Sequence, residues 1–422
     1  MKSIEAVNKK IDASSKVKWK DTFSKNVILS MFKRITIGHL TVEDSGEVYS
    51  FGEPKESATI IAHIQVLHPS AYRLVLFGGT IGSGEAYMLR TWQSSNLVDV
   101  VRLMVLNQHD LANMDSRWSW LSNRIASVLD SLRINTKSGS KKHIAAHYDL
   151  SNDFFSLFLD DSMMYSSAIY TDKVTTLAEA STHKLEHICR RLDLKPTDHL
   201  VEIGSGWGGM AIHAAQHFGC KVTTTTISTE QYEFAKEKIE RLGLSDQITL
   251  LKEDYRDLTG TFDKLVSIEM IEAVGHKYFD TFFAKCSSLL KSNGKMLVQA
   301  IMKPDQRYER EKNDTDFIRT YIFPGGCLPS NMAIHESVSR VTDLHSIGLE
   351  DITLSYAKTL HHWREYFWNN IEKVKALGFD DRFIHMWDFY LCFCEGGFQE
   401  RVIHTSQYLF AKPDCRSLPV IQ

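Results

Sequence analysis

The chain has little that would place it among secreted, membrane-spanning or nucleic-acid-binding proteins. Its 422 residues hold seven cysteines (Cys189, Cys220, Cys286, Cys327, Cys392, Cys394, Cys415), an odd and scattered set without CxxC or Cys/His spacing. That pattern argues against a disulfide framework and against a zinc site, and it fits a reduced, cytosolic setting. No segment reaches the ~18 consecutive apolar residues of a membrane helix. The first twenty residues, MKSIEAVNKKIDASSKVKWK, lack the apolar centre of a signal peptide. The chain is therefore expected neither to be secreted nor to span a bilayer. A formal net charge of -3 gives no overall attraction to nucleic acid. What is present is a substantial core: 43% hydrophobic and 11% aromatic residues over a length that allows two or three domains.

The N-terminal third reads as a smaller α+β domain, 1–134. Its first 34 residues are locally basic through Lys9, Lys10, Lys16, Lys18, Lys20, Lys25, Lys33 and Arg34; a solvated face accounts for this as simply as a binding surface does. Apolar runs at 35–44, 57–67, 71–79 and 85–89 predict strands. The glycine cluster FGGTIGSGEAY, Phe77 to Tyr87, lacks the Lys-Ser/Thr pair of a phosphate loop and reads as a turn. A helical pattern over about 96–133 leads to NTKSGSKK, 135–142, whose composition is that of a linker.

From about 171 the pattern alternates helix and strand. Strands are expected at 199–203, 220–227, 247–253, 262–270 and 294–301, and after a polar and aromatic insertion near DITLSYA and TSQYLFAKP. Alternation of this kind predicts a mostly parallel sheet covered on both faces across the domain 143–422. Ligands on such sheets bind beyond the carboxyl ends of the strands, which nominates 204–206, 226–228, 254–255, 268–272 and 299–301 as one pocket.

The run VEIGSGWGG, 201–209, follows a strand and opens a helix, the setting that a nucleotide-binding turn requires. Gly204, Gly206 and Gly209 alone also satisfy a dinucleotide fingerprint. Two neighbours decide for S-adenosylmethionine. The second strand ends without an acid for a ribose until Glu230, and Glu202 puts a carboxylate beside the turn, where it can orient loop amides or face an ammonium group.

Six blocks occur in order: HYDLSNDFFSLFLDDSMMYSSAIY (147–170), VEIGSGWGG, TISTEQ (226–231), EMIEAVGHKYFDTFF (269–283), DFIRTYIFPGGCLPS (316–330) and YAKTLHHWREYF (356–367). Together they resemble the cyclopropane-fatty-acyl-phospholipid synthase family over about 140–413, and GGTIGSGEAYMLRTW resembles that family's leading domain. The resemblance implies a Rossmann-like, seven-stranded class I methyltransferase sheet with a helical insertion. It implies methyl transfer from S-adenosylmethionine to the double bond of an unsaturated acyl chain in a membrane phospholipid, then proton loss that closes a cyclopropane. Because no segment is expected to span a bilayer, access to that lipid is expected to be peripheral, at the inner face of the membrane, where the basic N-terminal cluster can hold the chain; whether two copies pair stays open.

An alkene that attacks a sulfonium methyl becomes a carbocation, so such a pocket should be dry and lined by aromatic faces. Tyr165, Tyr255, Tyr356, Trp363, Phe367 and Trp387 are candidates. The family holds a bicarbonate ion as base. By resemblance Glu272, the Ile301 amide and Tyr356 contact it, while Ser167 stands where a cysteine is usual and Gln299 where a histidine is common. Cofactor contacts implied in the same way are Tyr165, Ser166, Gly204, Gly206, Thr226, Ile227, Gln231, Tyr255 and Ile268. The exchange at Ser167 leaves a second outcome open, in which the cation loses another proton and the chain is methylated without ring closure. A lipid-binding relative without chemistry is a third reading, and a small-molecule methyltransferase a fourth.

Overall fold

The computed structural model describes residues 19–112 and 150–417. The predicted linker 135–142 and most of the predicted helix beyond 112, with Trp118 and Trp120, lie outside them. The described residues form two compact units, 19–112 with 379–396, and 150–378 with 397–417.

The first unit is built on a four-stranded sheet in the order β2-β1-β3-β4, formed by β1 (His39–Asp44), β2 (Glu47–Gly52), β3 (Ile61–Val66) and β4 (Trp92–Gln93). Ser45 and Gly46 both have positive φ, 54° and 84°, which is the backbone a two-residue hairpin between β1 and β2 demands. Three expectations fail here. The runs 71–79 and 85–89, read as strands, and the glycine cluster, read as a turn, fall in one helical stretch, Ser70–Met88 with Leu89 as its cap, broken at Gly79 (φ 52°, ψ −132°). The glycines bend the helix and let it pack closely: a Cβ on Gly82 would lie 1.9 Å from the carbonyl oxygen of Leu74. The helix Asp381–Gln399 contributes Asp388, which accepts a hydrogen bond from Tyr87 Oη at 2.7 Å.

The second unit carries the seven-stranded sheet, β10-β11-β9-β8-β5-β6-β7. β5 (His199–Ile203), β6 (Lys221–Thr225), β7 (Ile248–Leu251), β8 (Phe262–Ile268) and β9 (Leu290–Met302) run parallel. β10 (His345–Asp351) and β11 (His404–Ala411) are antiparallel, β11 lying between β9 and β10. Alternate residues of each strand face opposite sides: Val201, Ile203, Leu265, Met296 and Val298 enter one core, and Leu200, Val222, Val266 and Leu297 the other. A sheet buried on both faces explains the nearly continuous apolar strands. Helix starts follow their capping residues. Thr176 and Glu179 form a reciprocal capping box, and Ser228 caps Thr229–Arg241. The predicted strand DITLSYA is a helix: β10 ends at Asp351 and Thr353–Asn369 is helical. Its period places Tyr356, Leu360, Trp363 and Phe367 on one buried face.

Candidate active site

The carboxyl end of β5 turns through Gly204 and Gly206, with φ of 95° and 49°, values that residues bearing a Cβ rarely adopt. The amides of Gly204 and Ser205 both donate to the Thr225 carbonyl, at 3.2 and 2.8 Å, so the turn is stitched to the end of β6. A Cβ on Gly206 would meet nothing within 4 Å, whereas one on Gly209 would lie 2.7 Å from Met164 Sδ. Gly209 therefore serves packing, and the open space lies over Gly206.

Residues beside this opening come from the next three strand ends. Thr226 Oγ1 donates to Gln231 Oε1 at 2.9 Å, and Gln231 is buried, not a surface residue. Ile227 leaves 65% of its surface exposed. Tyr255 sits edge-on to Phe282, and Ile268 ends β8. Backbone free for close approach, an uncovered apolar side chain and a phenol ring at parallel-strand ends fit the polar tail and the adenine of S-adenosylmethionine. When bound, that cofactor supplies an electrophilic methyl group on a sulfonium.

Glu202 departs from its expected role. It is buried, accepts from Thr224 Oγ1 at 2.6 Å and bonds no loop amide. Burial pushes its pKa up to about 8, so it lies under the turn as a largely protonated acid.

The second half of the site is centred on Glu269, which directly follows β8. Its Oε1 accepts from the Ser167 amide at 2.9 Å and from Gln299 Nε2 at 2.8 Å, and its Oε2 accepts from Tyr356 Oη at 2.9 Å. Strand register explains the convergence. Ile268 pairs with Gln299 across β8 and β9, and Gln299 pairs with Gln407 on β11, whose Nε2 donates to Gln299 Oε1 at 2.9 Å. That bond orients the Gln299 amide so that its NH2 faces Glu269. Tyr356 is fixed by stacking on Phe398, with centroids 4.4 Å apart. Beside Ser167, Ser166 Oγ accepts from the fully buried Lys184 Nζ at 2.7 Å, and burial lowers the lysine pKa to about 8.

Of the expected catalytic group, Ser167, Gln299 and Tyr356 thus meet at Glu269, while Ile301 meets Glu272, its amide donating to Glu272 Oε1 at 2.5 Å. Glu272 Oε2 is buried without a hydrogen-bond partner, and burial together with the neighbouring Glu269 pushes the Glu272 pKa up to about 8. The Ser167 hydroxyl turns to the Ala168 carbonyl at 2.9 Å. Of the donors expected to hold a bicarbonate ion, Gln299 Nε2, Tyr356 Oη and the Ile301 amide are therefore occupied by two carboxyl groups of the chain, and the Ser167 hydroxyl by a carbonyl. With those donors taken by groups of the chain itself, the residues present do not fit that ion.

Glu269 is the central residue of this cluster, and the sequence reading passed over it. It lies inside the nominated strand-end span 268–272, but the family pattern assigned the acid to Glu272, three residues on. Aromatic rings stand close by: Tyr165 lies 5.1 Å from Trp363 and 5.2 Å from Phe155 between centroids. Phe367 packs against Phe154 at 6.4 Å. Trp387 belongs to the other unit and packs there against Phe383 and Tyr390.

Comparison with known proteins agrees with this fold. Residues 135–408 match the family described as mycolic acid cyclopropane synthetase. The tuberculostearic acid methyltransferase UfaA1 of Mycobacterium tuberculosis is 34% identical over 86% of this chain and 86% of its own length. The cyclopropane-fatty-acyl-phospholipid synthase of Escherichia coli K12 is 35% identical over 83% of this chain and 88% of its own. The structure of the cyclopropane synthase MmaA2 from Mycobacterium tuberculosis covers 66% of this chain and 100% of its own, at 27% identity and a TM-score of 0.60. The mycolic acid cyclopropane synthase CmaA1 complexed with SAH and CTAB covers 64% and 97%, at 29% identity and 0.58. With its glycine turn, its seven-stranded sheet and these relatives, the chain belongs to the mycolic acid cyclopropane synthetase family and is an S-adenosylmethionine-dependent methyltransferase of lipid acyl chains.

Proposed function

We propose that the protein adds a methylene group across the double bond of an unsaturated acyl chain in a membrane phospholipid, leaving a cyclopropane. The observation that carries this reading is the juxtaposition of cofactor turn and carboxylate. A Cβ on Gly204 would lie 3.2 Å from the side chain of Met270, the residue next to Glu269, so the turn that would hold the electrophile and the segment that carries the enclosed base lie side by side. Tyr165, Trp363 and Phe155 offer ring faces to a cation formed there, about 0.5–2 kcal/mol each. The enclosed surroundings keep water from trapping it.

A specific observation favours a second reading, methylation without ring closure. The Ser167 hydroxyl is directed at the Ala168 carbonyl, and a relative of comparable identity is a tuberculostearic acid methyltransferase. The two outcomes separate in one experiment. Cells expressing the protein receive methyl-labelled methionine, and their phospholipid acyl chains are analysed by mass spectrometry before and after ozone treatment. Labelled chains that resist ozone and have the mass of a methylated alkene support the ring; labelled chains that ozone cleaves, or that are saturated, methyl-branched and heavier by two hydrogens, refute it and leave methylation; labelling confined to small molecules refutes both.

The work would take place on the cytoplasmic membrane surface. Among the described residues no helix is long and apolar enough to cross a bilayer. Each Lys or Arg of the basic first 34 residues near an anionic leaflet adds about 1 kcal/mol. Sedimentation with anionic vesicles that weakens as salt is raised supports this placement, and equal sedimentation with neutral vesicles counts against it.

A further inference from the structure

Three enclosed acids surround the glycine turn, and they are not equivalent. Glu202 and Glu272 have pKa values pushed up to about 8 by burial, so each holds its proton at neutral pH. Glu269 instead receives donors on both oxygens, from the Ser167 amide, Gln299 and Tyr356. Hydrogen bonds from these donors favour the charged form of Glu269, against the burial that raises its pKa. Lys184 adds a favourable charge from a distance, its Nζ being directed to Ser166.

The backbone sets Glu269 apart as well. Its φ of 49° lies in the left-handed region, which costs a residue with a side chain roughly 1–2 kcal/mol. Such strain persists where the surroundings over-determine a position, and it concentrates at functional sites. Here the Glu269 amide is also tied to the Gln299 carbonyl at 2.8 Å. The side chain is thereby aimed at the same neighbours from which a free anion would otherwise draw its hydrogen bonds.

We propose that Glu269 is the proton acceptor of this site, so that turnover requires no bicarbonate. The proposal rests on the functional reading above. Methyl addition to an alkene leaves a carbocation one proton in excess of the neutral product. A C–H bond of the added methyl breaks and its electron pair forms the second carbon–carbon bond of the ring. The proton passes to the Glu269 carboxylate, and the resulting carboxyl group returns it to water before the next turnover. Burial holds the Glu269 pKa above the usual carboxylate value, which makes the ionised form a stronger base than a solvated carboxylate.

The test uses the full-length protein in buffer stripped of carbon dioxide, with labelled cofactor and unsaturated phospholipid vesicles. Wild-type turnover should stay within about twofold when bicarbonate is withdrawn, and Glu269→Gly should lose at least about 100-fold, the usual worth of a general base. Glycine suits a φ of 49°, so that variant keeps the backbone. Added bicarbonate or formate should restore it in part. Carbon NMR of labelled bicarbonate provides a readout without turnover: the ion should bind Glu269→Gly and not the wild type. Wild-type activity that collapses without bicarbonate and returns with it would overturn the proposal. So would Glu269→Gly that stays active without any added anion, or a loss that neither anion reverses, which would make Glu269 a positioning residue. Absence of label from wild-type acyl chains in every buffer would instead refute the functional reading.

Discussion

The glycine turn and the Glu269 cluster stand at the ends of adjacent strands, β5 and β8, yet they are built in opposite ways. The turn is backbone. Gly204 and Gly206 contribute by having no side chain, and the Thr225 carbonyl that accepts from the Gly204 and Ser205 amides is main chain too. The cluster is side chain, assembled from Ser167, Glu269, Gln299, Tyr356 and Gln407, five positions spread over 241 residues of sequence (407 − 167 + 1). A backbone cradle depends on what is missing at one or two positions, and a side-chain cluster on what several distant segments bring. The turn should therefore fail abruptly on a single substitution, while the cluster should weaken by steps.

The largest effect is expected at Gly206. A valine there combines a β-branched side chain with φ near 49° and projects it into the open space over the turn. Calorimetry of a folded Gly206→Val protein should show cofactor affinity lower by at least about 100-fold, or ~2.7 kcal/mol; unchanged affinity would break the comparison at its first half. Tyr356→Phe removes one of the three donors to Glu269 and nothing from the turn. Hydrogen bonds to charged groups contribute about 1.5–3 kcal/mol, so turnover should fall about tenfold or more with cofactor affinity intact.

Glu202 lies under the turn and gives a pH test. Its folded pKa, about 8, stands above the 4.5 of a free glutamate, so the folded state binds more protons than the unfolded state between those values. The contribution of this group is fully present below pH 4.5 and is lost as pH rises through 8. Glu202→Gln should melt higher than the wild type at pH 8–9, by roughly 2–4 °C per kcal/mol recovered, and show no such gain near pH 4.5. Equal melting temperatures at the high end would mean that Glu202 is ionised in the fold. Ser167→Ala should have the smallest effect, within about threefold in turnover or ~0.7 kcal/mol, because the Ser167 amide and not its hydroxyl reaches Glu269.

The same contrast explains what could be read in the sequence. VEIGSGWGG announces its strand, turn and helix within nine letters, because glycines needed for positive φ are local facts. The parallel strands were equally legible, since a sheet buried on both faces writes uninterrupted apolar runs. DITLSYA misled because its apolar residues also suit a helix, and Tyr356, Leu360, Trp363 and Phe367 reveal the longer period only when read together. FGGTIGSGEAY misled because glycines that bend and pack a helix look like glycines that make a loop. Glu269 could not be separated from Glu272 by motif. The distinction rests on the register of β8 with β9 and of β9 with β11, which no local pattern records.

The most direct test of the account is isotopic. Wild-type protein is given S-adenosylmethionine with a trideuterated methyl group and unsaturated phospholipid, in buffer free of bicarbonate, and the acyl products are analysed by mass spectrometry and ozone treatment. The account predicts an ozone-resistant product that keeps two of the three deuterium atoms, because Glu269 takes the third from the added methyl. A product that keeps all three, or that ozone cleaves, would contradict proton removal from the methyl with closure of the ring.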